Sequence, residues 1–167
     1  MATIAVIVTT YNNPLYLTKV LAGFLEQTKK PDELIVGDDG SGERTAEVIR
    51  EFQHKADFPI KHIWQEDRGF RAAHIRNKCI KASGADYLIF IDGDCIPSKT
   101  FIEDHFKIKR KGCFVQGKRV LISEKISKTF KPRRAGKEFL LYLSGQINGC
   151  RHLVRLPDIL KSNTKLK

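Results

Sequence analysis

Residues 87–97, YLIFIDGDCIP, run five apolar or aromatic residues into two aspartates, Asp92 and Asp94, with one glycine between them. Two carboxylates at that spacing can aim at one hard cation. Mg²⁺ or Mn²⁺ takes oxygen ligands and leaves positions that phosphate oxygens can fill. The glycine lets a diphosphate approach the backbone closely. Without a cation the two carboxylates repel, and one tends to hold a proton. Asp-Gly is also a common turn, with Asp94 then capping the next segment. Placement at the carboxyl end of a buried strand favours the cation.

Two more polar clusters follow apolar runs. Asp38-Asp39-Gly40-Ser41 can accept hydrogen bonds from a nucleobase imide or from ribose hydroxyls; the alternative is a turn in which Asp39 or Ser41 caps the next helix. Thr9-Thr10-Tyr11-Asn12 can offer backbone groups and an aromatic face to a base, or Asn12 or Asn13 can cap a helix. In DRGFRAAHIRN, 67–77, helical spacing puts Arg71, His74 and Lys78 on one face. Arg71 lies near a helix N-terminus, where anions are favoured, and could contact a base or phosphates. The alternative is a solvated basic face, with His74 structural. No Ser or Cys has a nucleophile-elbow context. The cysteines 79, 95, 113 and 150 form no C-x-x-C pair and lack histidines at zinc-finger spacing, so free thiols in a reducing compartment are expected, with no role for Cys95.

These clusters need strands to hold them. Residues 4–8, 34–36, 60–64 and 87–91 read as strands, and 45–52 and 70–82 as helices. Another helix enters at Asn13-Pro14 and repeats Leu17, Val20, Leu21, Phe24 and Leu25 until Pro31 breaks it. The alternation predicts an α/β fold with a parallel, doubly wound sheet and right-handed crossovers. In such sheets ligands bind beyond the strands' carboxyl ends. A strand order of 3-2-1-4 would bring all three clusters to one crevice.

After Pro97 the pattern loosens. Residues 101–108 read as a helix, 114–122 as a strand containing Gly117, 128–137 as a basic loop and 138–143 as an apolar, helical stretch. The 167 residues carry a net charge of +11, unevenly spread. Residues 1–100 hold 13 Lys and Arg against 14 Asp and Glu, a net of −1; residues 101–167 hold 17 against 5, a net of +12. The basic part suits phosphates, acidic glycans or an anionic membrane surface. No nucleic-acid recognition motif accompanies it, and no nucleic-acid partner is expected. No apolar run approaches the ~20 residues of a membrane span, and the first residues lack a signal peptide's basic region. A cytoplasmic protein is expected, peripheral at the inner face of the membrane.

The stretches IAVIVTTYNNP (4–14), DDGS (38–41), GFRAAHIRN (69–77) and YLIFIDGDCIP (87–97) together resemble the nucleotide-binding half of a family 2 glycosyltransferase with the GT-A fold. Their order and spacing match the family over about the first 100 residues, and 151–157 adds likeness to bacterial lipopolysaccharide, capsule and chondroitin-polymerase-like enzymes. The resemblance implies a three-layer α/β/α domain, with a nucleotide-sugar-binding half at 1–98 and the start of a basic acceptor-binding half at 99–167. It implies a UDP-sugar or other nucleotide-sugar donor, a glycan or lipopolysaccharide acceptor and inverting transfer. On the matching positions, Thr10, Tyr11 and Asn12 would line the nucleoside pocket and Asp39 would bond the base. Arg71 would reach base or phosphate, Asp92 the ribose or sugar, and Asp94 would ligate Mn²⁺ or Mg²⁺.

The family's catalytic base sits in an ED-type motif of the acceptor half. Of the acids after Pro97, Glu103, Asp104, Glu124, Glu138 and Asp158, none has that context, so the base is expected beyond Lys167 and the domain is expected to be truncated. A donor-binding fragment without turnover is the alternative. An Asp92 phosphohydrolase is disfavoured by the motif's position on the fourth strand.

Overall fold

The computed structural model describes residues 2–128 and 147–148, and the chain divides into two compact units between Ile108 and Lys109. The first begins with β1 (Ile4–Thr10), whose Ile4, Ala5, Val6, Ile7 and Val8 are fully buried. Such a strand is stable only where both faces of the sheet are covered. Helix α1 (Pro14–Leu25) follows, with Asn13 Oδ1 accepting the Tyr16 N–H at 3.5 Å and Pro14 in the first turn, where its missing N–H costs nothing. Then come β2 (Glu33–Asp38), α2 (Glu43–Lys55), β3 (Ile60–Trp64), α3 (Ala72–Ala82), β4 (Tyr87–Asp92) and α4 (Phe101–Ile108).

All four strands are parallel, in the order β3-β2-β1-β4 that sets the three polar clusters at one edge. Alternation sorts the side chains into two layers. Ile4, Val6, Val8, Leu34, Val36 and Ile89 face Leu17, Leu21 and Phe24 of α1, Ile49 and Phe52 of α2 and Ile102 of α4. Ile7 and Ile35 face Ile75 and Cys79 of α3. Helix α3 lies so close that a Cβ on Gly37 would meet the Cys79 sulfur at 2.7 Å. Burial pushes the Cys79 thiol up to about 11, so it packs as a small protonated apolar group.

Two local expectations are corrected. Helix α3 starts at Ala72 rather than residue 70, because Gly69 has φ +80° and the Arg71 N–H is taken by Asp39 Oδ2 at 2.8 Å. Phe70 is thereby left outside the helix and 93% exposed. Within 114–122 only Leu121 and Ile122 form a strand, β5 (Leu121–Ile122), which pairs antiparallel with a two-residue strand (Ile147–Asn148) in the second unit. The rest of that run has no buried face: Phe114 is 73% exposed and Gly117 has no side chain to pack. A short helix, α5 (Glu124–Ser127), follows β5 unpredicted, and the later strand is β6. The helical reading of 138–143, most of the basic loop at 128–137 and the 151–157 stretch lie outside the described residues. Among the described residues no helix is long and apolar enough to cross a membrane.

Helix α4 is tied to β4 by a buried histidine. His105 Nδ1 lies 3.0 Å from the Tyr87 hydroxyl, and the Phe101 ring stacks edge-on at 4.7 Å. Burial holds the imidazole below its ordinary value, against the weaker pull of Asp104. A group with a depressed folded pKa binds fewer protons folded than unfolded, so its stabilisation is complete above the unfolded value of about 6.5 and is lost as pH falls below it. The melting temperature is therefore expected to drop from pH 7 to 5. His105→Gln should flatten that slope, leaving a remnant from His74, which is lowered by desolvation, Arg71 and Lys78. An unchanged slope in the variant would show that His105 is not the titrating group.

Candidate functional site

Strand register sets the site. Thr9 of β1 stands between Gly37 of β2 and Asp92 of β4, and Thr10 is level with Asp38. The predicted polar clusters therefore end their strands side by side. A hollow at this edge is lined by Thr9, Thr10, Tyr11, Asn13, Asp92, Gly93 and Asp94. The Thr10 side-chain hydroxyl is buried there and has no hydrogen-bond partner. A buried hydroxyl left unpaired costs about 1–3 kcal/mol.

Gly93 brings β4 against β1: its N–H donates to Thr9 O at 2.7 Å, and a Cβ would sit 2.8 Å from that oxygen. A turn then closes as Cys95 N–H donates to Asp92 O at 3.0 Å. The chain beyond is clamped to α1. Pro97 packs where a Cβ of Gly23 would be 2.9 Å away, and buried Gln27 donates to Ser98 O at 2.7 Å and accepts from Ile102 N–H at 3.1 Å. The two carboxylates are thus presented by a braced turn. Ligand atoms of Asp92, Asp94 and Cys95 all lie within 4.8 Å of one another. Two neighbouring carboxylates suit a hard divalent cation, with Asp94 exposed and Asp92 already ion-paired to Arg76. Cys95, assigned no role from sequence, donates its thiol to Asp94 Oδ1 at 3.4 Å.

The loop after β2 is built around two buried aspartates. Asp38 accepts the Ser41 N–H at 2.8 Å and lies 3.1 Å from His62 Nε2. Burial pushes its carboxyl up, but the bonds from His62 and Ser41 prevail and hold it below the usual range. Asp39 accepts from Gln65 Nε2 and from the Arg71 N–H, while its own N–H donates to Thr10 O at 3.0 Å. Neither Asp39 nor Ser41 caps α2, whose cap is Gly42 without a side-chain bond. Asn12, in the left-handed region at φ 45°, joins the loops: its N–H donates to Ser41 Oγ at 2.8 Å and its Oδ1 accepts the Gly42 N–H at 3.0 Å.

Of the predicted residues, Thr10, Tyr11, Asp92 and Asp94 share the hollow. Asn12, Asp39 and Arg71 stand next to it, linked through the loops, and are not in its lining. Arg71 occupies the α3 cap position, and its charge and that of Lys78 both act on His74, lowering the imidazole's pKa after desolvation. Sequence reasoning missed Gln65, Asp67 and Arg76. Gln65, buried, bridges Asp39 and the His74 Nδ1 at 2.6 Å. Asp67 accepts the Tyr11 hydroxyl at 2.8 Å, which raises the phenol's pKa and keeps it protonated. Both follow β3, where the rule about strand carboxyl ends applies equally. Arg76 carried no sequence signal beyond lying one residue after the buried Ile75.

Known proteins share this fold. The chain is 26% identical to TarS of S. aureus, solved with UDP-GlcNAc, over 63% of this chain and 30% of that one, with a TM-score of 0.57. It is 25% identical to the mannosyltransferase PcManGT of Pyrobaculum calidifontis, solved with GDP-Man and Mn²⁺, over 59% and 29% of the two chains, with a TM-score of 0.52. The hyaluronan synthase of Pasteurella multocida is 35% identical over 103 residues, which is 61% of this chain and only 10% of that relative's length. The fold is the GT-A α/β fold. Residues 5–157 match the model of Glycosyl transferase family 2, and the chain belongs to that family.

Proposed function

We propose that this chain forms the donor-binding part of an inverting, metal-dependent glycosyltransferase that moves a sugar from a nucleotide-sugar, a UDP-sugar first, to a cell-envelope glycan or lipopolysaccharide acceptor. Residues 1–98 would be the donor half and 99–167 the start of the acceptor half. The observation that carries this reading is the convergence of Thr10, Tyr11, Asp92 and Asp94 on one hollow at the carboxyl ends of β1 and β4. The ligands of the solved relatives, UDP-GlcNAc and GDP-Man with Mn²⁺, support it.

In this reading Thr10 and Tyr11 line the nucleoside pocket, and Asn12 fixes the loop that carries Asp39. Asp39 meets the base, oriented by Gln65 and the Arg71 backbone, and the Arg71 side chain reaches base or phosphate. Asp92 lies nearest the ribose or sugar. Asp94 holds Mn²⁺ or Mg²⁺, which supplies Lewis-acid stabilisation of the departing nucleoside diphosphate. The sugar leaves with oxocarbenium character.

A thermal-shift screen of UDP-, GDP-, CMP- and TDP-sugars, each with and without Mn²⁺, tests the donor. A ligand at a hundred times its dissociation constant adds about 2.7 kcal/mol to stability, so the right donor should raise the melting temperature by several degrees, and more with Mn²⁺. No shift with any of them would refute the donor site. Nucleoside diphosphate release stimulated by a glycan acceptor supports transfer, whereas binding without release supports the donor-binding fragment alone.

The net charge of +12 over residues 101–167 supports a second contact, with the anionic inner face of the cytoplasmic membrane. Co-sedimentation with vesicles is expected to rise with their content of anionic lipid and to fall with salt. Indifference to lipid charge would rule the contact out.

A further inference from the structure

Arg76 projects from α3 to the paired aspartates. Its Nη2 donates to Asp92 Oδ1 at 2.9 Å and its Nε donates to Thr9 Oγ1 at 3.2 Å, at the level where β1 and β4 pair Thr9 with Asp92. The two charged side chains are 37% and 50% exposed. An exposed ion pair of this kind adds about 0–1 kcal/mol to stability. Its larger consequence is electrostatic. The guanidinium is permanently charged and offsets one of the two carboxylates that would receive a divalent cation. The ligand atoms of Asp92, Asp94 and Cys95 occupy one volume less than 5 Å across, so the guanidinium borders the space that cation would enter.

Resting on the metal reading above, we propose that Arg76 is a positioning residue that acts as an internal counter-ion. It holds Asp92 and weakens the site's grip on a bare divalent cation. The cation is then taken up together with a nucleoside diphosphate, whose negative charge offsets the guanidinium. Metal and nucleotide thereby become coupled ligands, each raising the affinity for the other. At roughly 6 Å in a water-like dielectric, the repulsion between a guanidinium and a divalent cation corresponds to roughly a tenfold loss in affinity.

The test is a Mn²⁺ titration of the full chain followed by electron paramagnetic resonance, with and without UDP. Arg76→Gln is expected to bind Mn²⁺ roughly tenfold more tightly without UDP and to gain less from adding it. Arg76→Lys keeps the charge and should behave as the parent. The double variant Arg76→Gln/Asp92→Asn removes both members of the pair and should return towards the parent's affinity. No gain in Arg76→Gln, or an equal gain in Arg76→Lys, overturns the counter-ion role while leaving the metal site standing. If the parent binds no Mn²⁺ even with UDP, the metal reading fails and this inference falls with it. Should Arg76→Gln not fold, Asp92→Asn reads the same balance. It unmasks the guanidinium, so Mn²⁺ affinity should fall more without UDP than with it; equal falls overturn the proposal.

Discussion

With Asp94 replaced by alanine, UDP is expected to bind with the same affinity whether or not Mn²⁺ is present, a loss of roughly a hundredfold in the metal-assisted affinity, or about 2.7 kcal/mol. The fold should be untouched. Asp94 is exposed at the tip of the 92–95 turn, and the bonds that close that turn are backbone bonds from Gly93 and Cys95. The partner its carboxylate loses is the Cys95 thiol at 3.4 Å, a weak donor. A surface substitution of this kind stays within about 0.5 kcal/mol in stability. Calorimetry that finds Mn²⁺-dependent UDP affinity unchanged would falsify the assignment of Asp94 as the metal ligand. A melting temperature far below the parent's would mean that the turn depends on the carboxylate.

Gly40→Ala is expected to have the largest effect on stability. Gly40 has φ +100°, and a Cβ there would lie 2.6 Å from both the N and the Cα of Asp67. The opposing atoms are backbone, so no side chain can rotate away. Asp67 itself is held by the Tyr11 hydroxyl, and nearby Gln65 N–H donates to Asp38 O at 3.1 Å. Relief therefore requires the loops after β2 and β3 to part. Backbone strain and overpacking together should cost about 2–4 kcal/mol and lower the melting temperature by roughly 10 °C. UDP binding should fall too, because Asp39 and Tyr11 are placed by the same contact. Gly84→Ala is the control: nothing lies within 4 Å of its Cβ position, and it should melt within about 0.5 kcal/mol of the parent. Equal behaviour of the two variants would show that the loop contact does not limit stability.

Much of the first unit was legible in the residues. The runs at 4–8, 34–36, 60–64 and 87–91 became the four strands; the wholly apolar 4–8 and 34–36 are the central pair, buried on both faces, while 60–64, with Lys61 and His62, lies at an edge. Parallel strands with right-handed crossovers allow several orders, and the packing realised β3-β2-β1-β4, the one that brings the polar clusters together. Residues 114–122 were misread because β-branched content alone does not make a strand; without a buried face nothing holds the register. The start of α3 was misplaced because a tertiary bond, from the Arg71 N–H to Asp39, outweighed local helical preference.

The sequence by itself determined which chemistry was on offer. Paired carboxylates, a second aspartate loop and a threonine-tyrosine turn each follow a strand, and strand ends in a parallel sheet share one edge. Only the tertiary structure decided how those groups divide the work. It bonded both Asp39 oxygens within the protein, set Asn12 to brace two loops, left the Thr10 hydroxyl unpaired and brought Arg76 onto Asp92. The reason is physical. Strand and helix periods follow from local sterics and burial, whereas the partner of a charged or polar group depends on which distant segment the packing brings within about 3 Å of it.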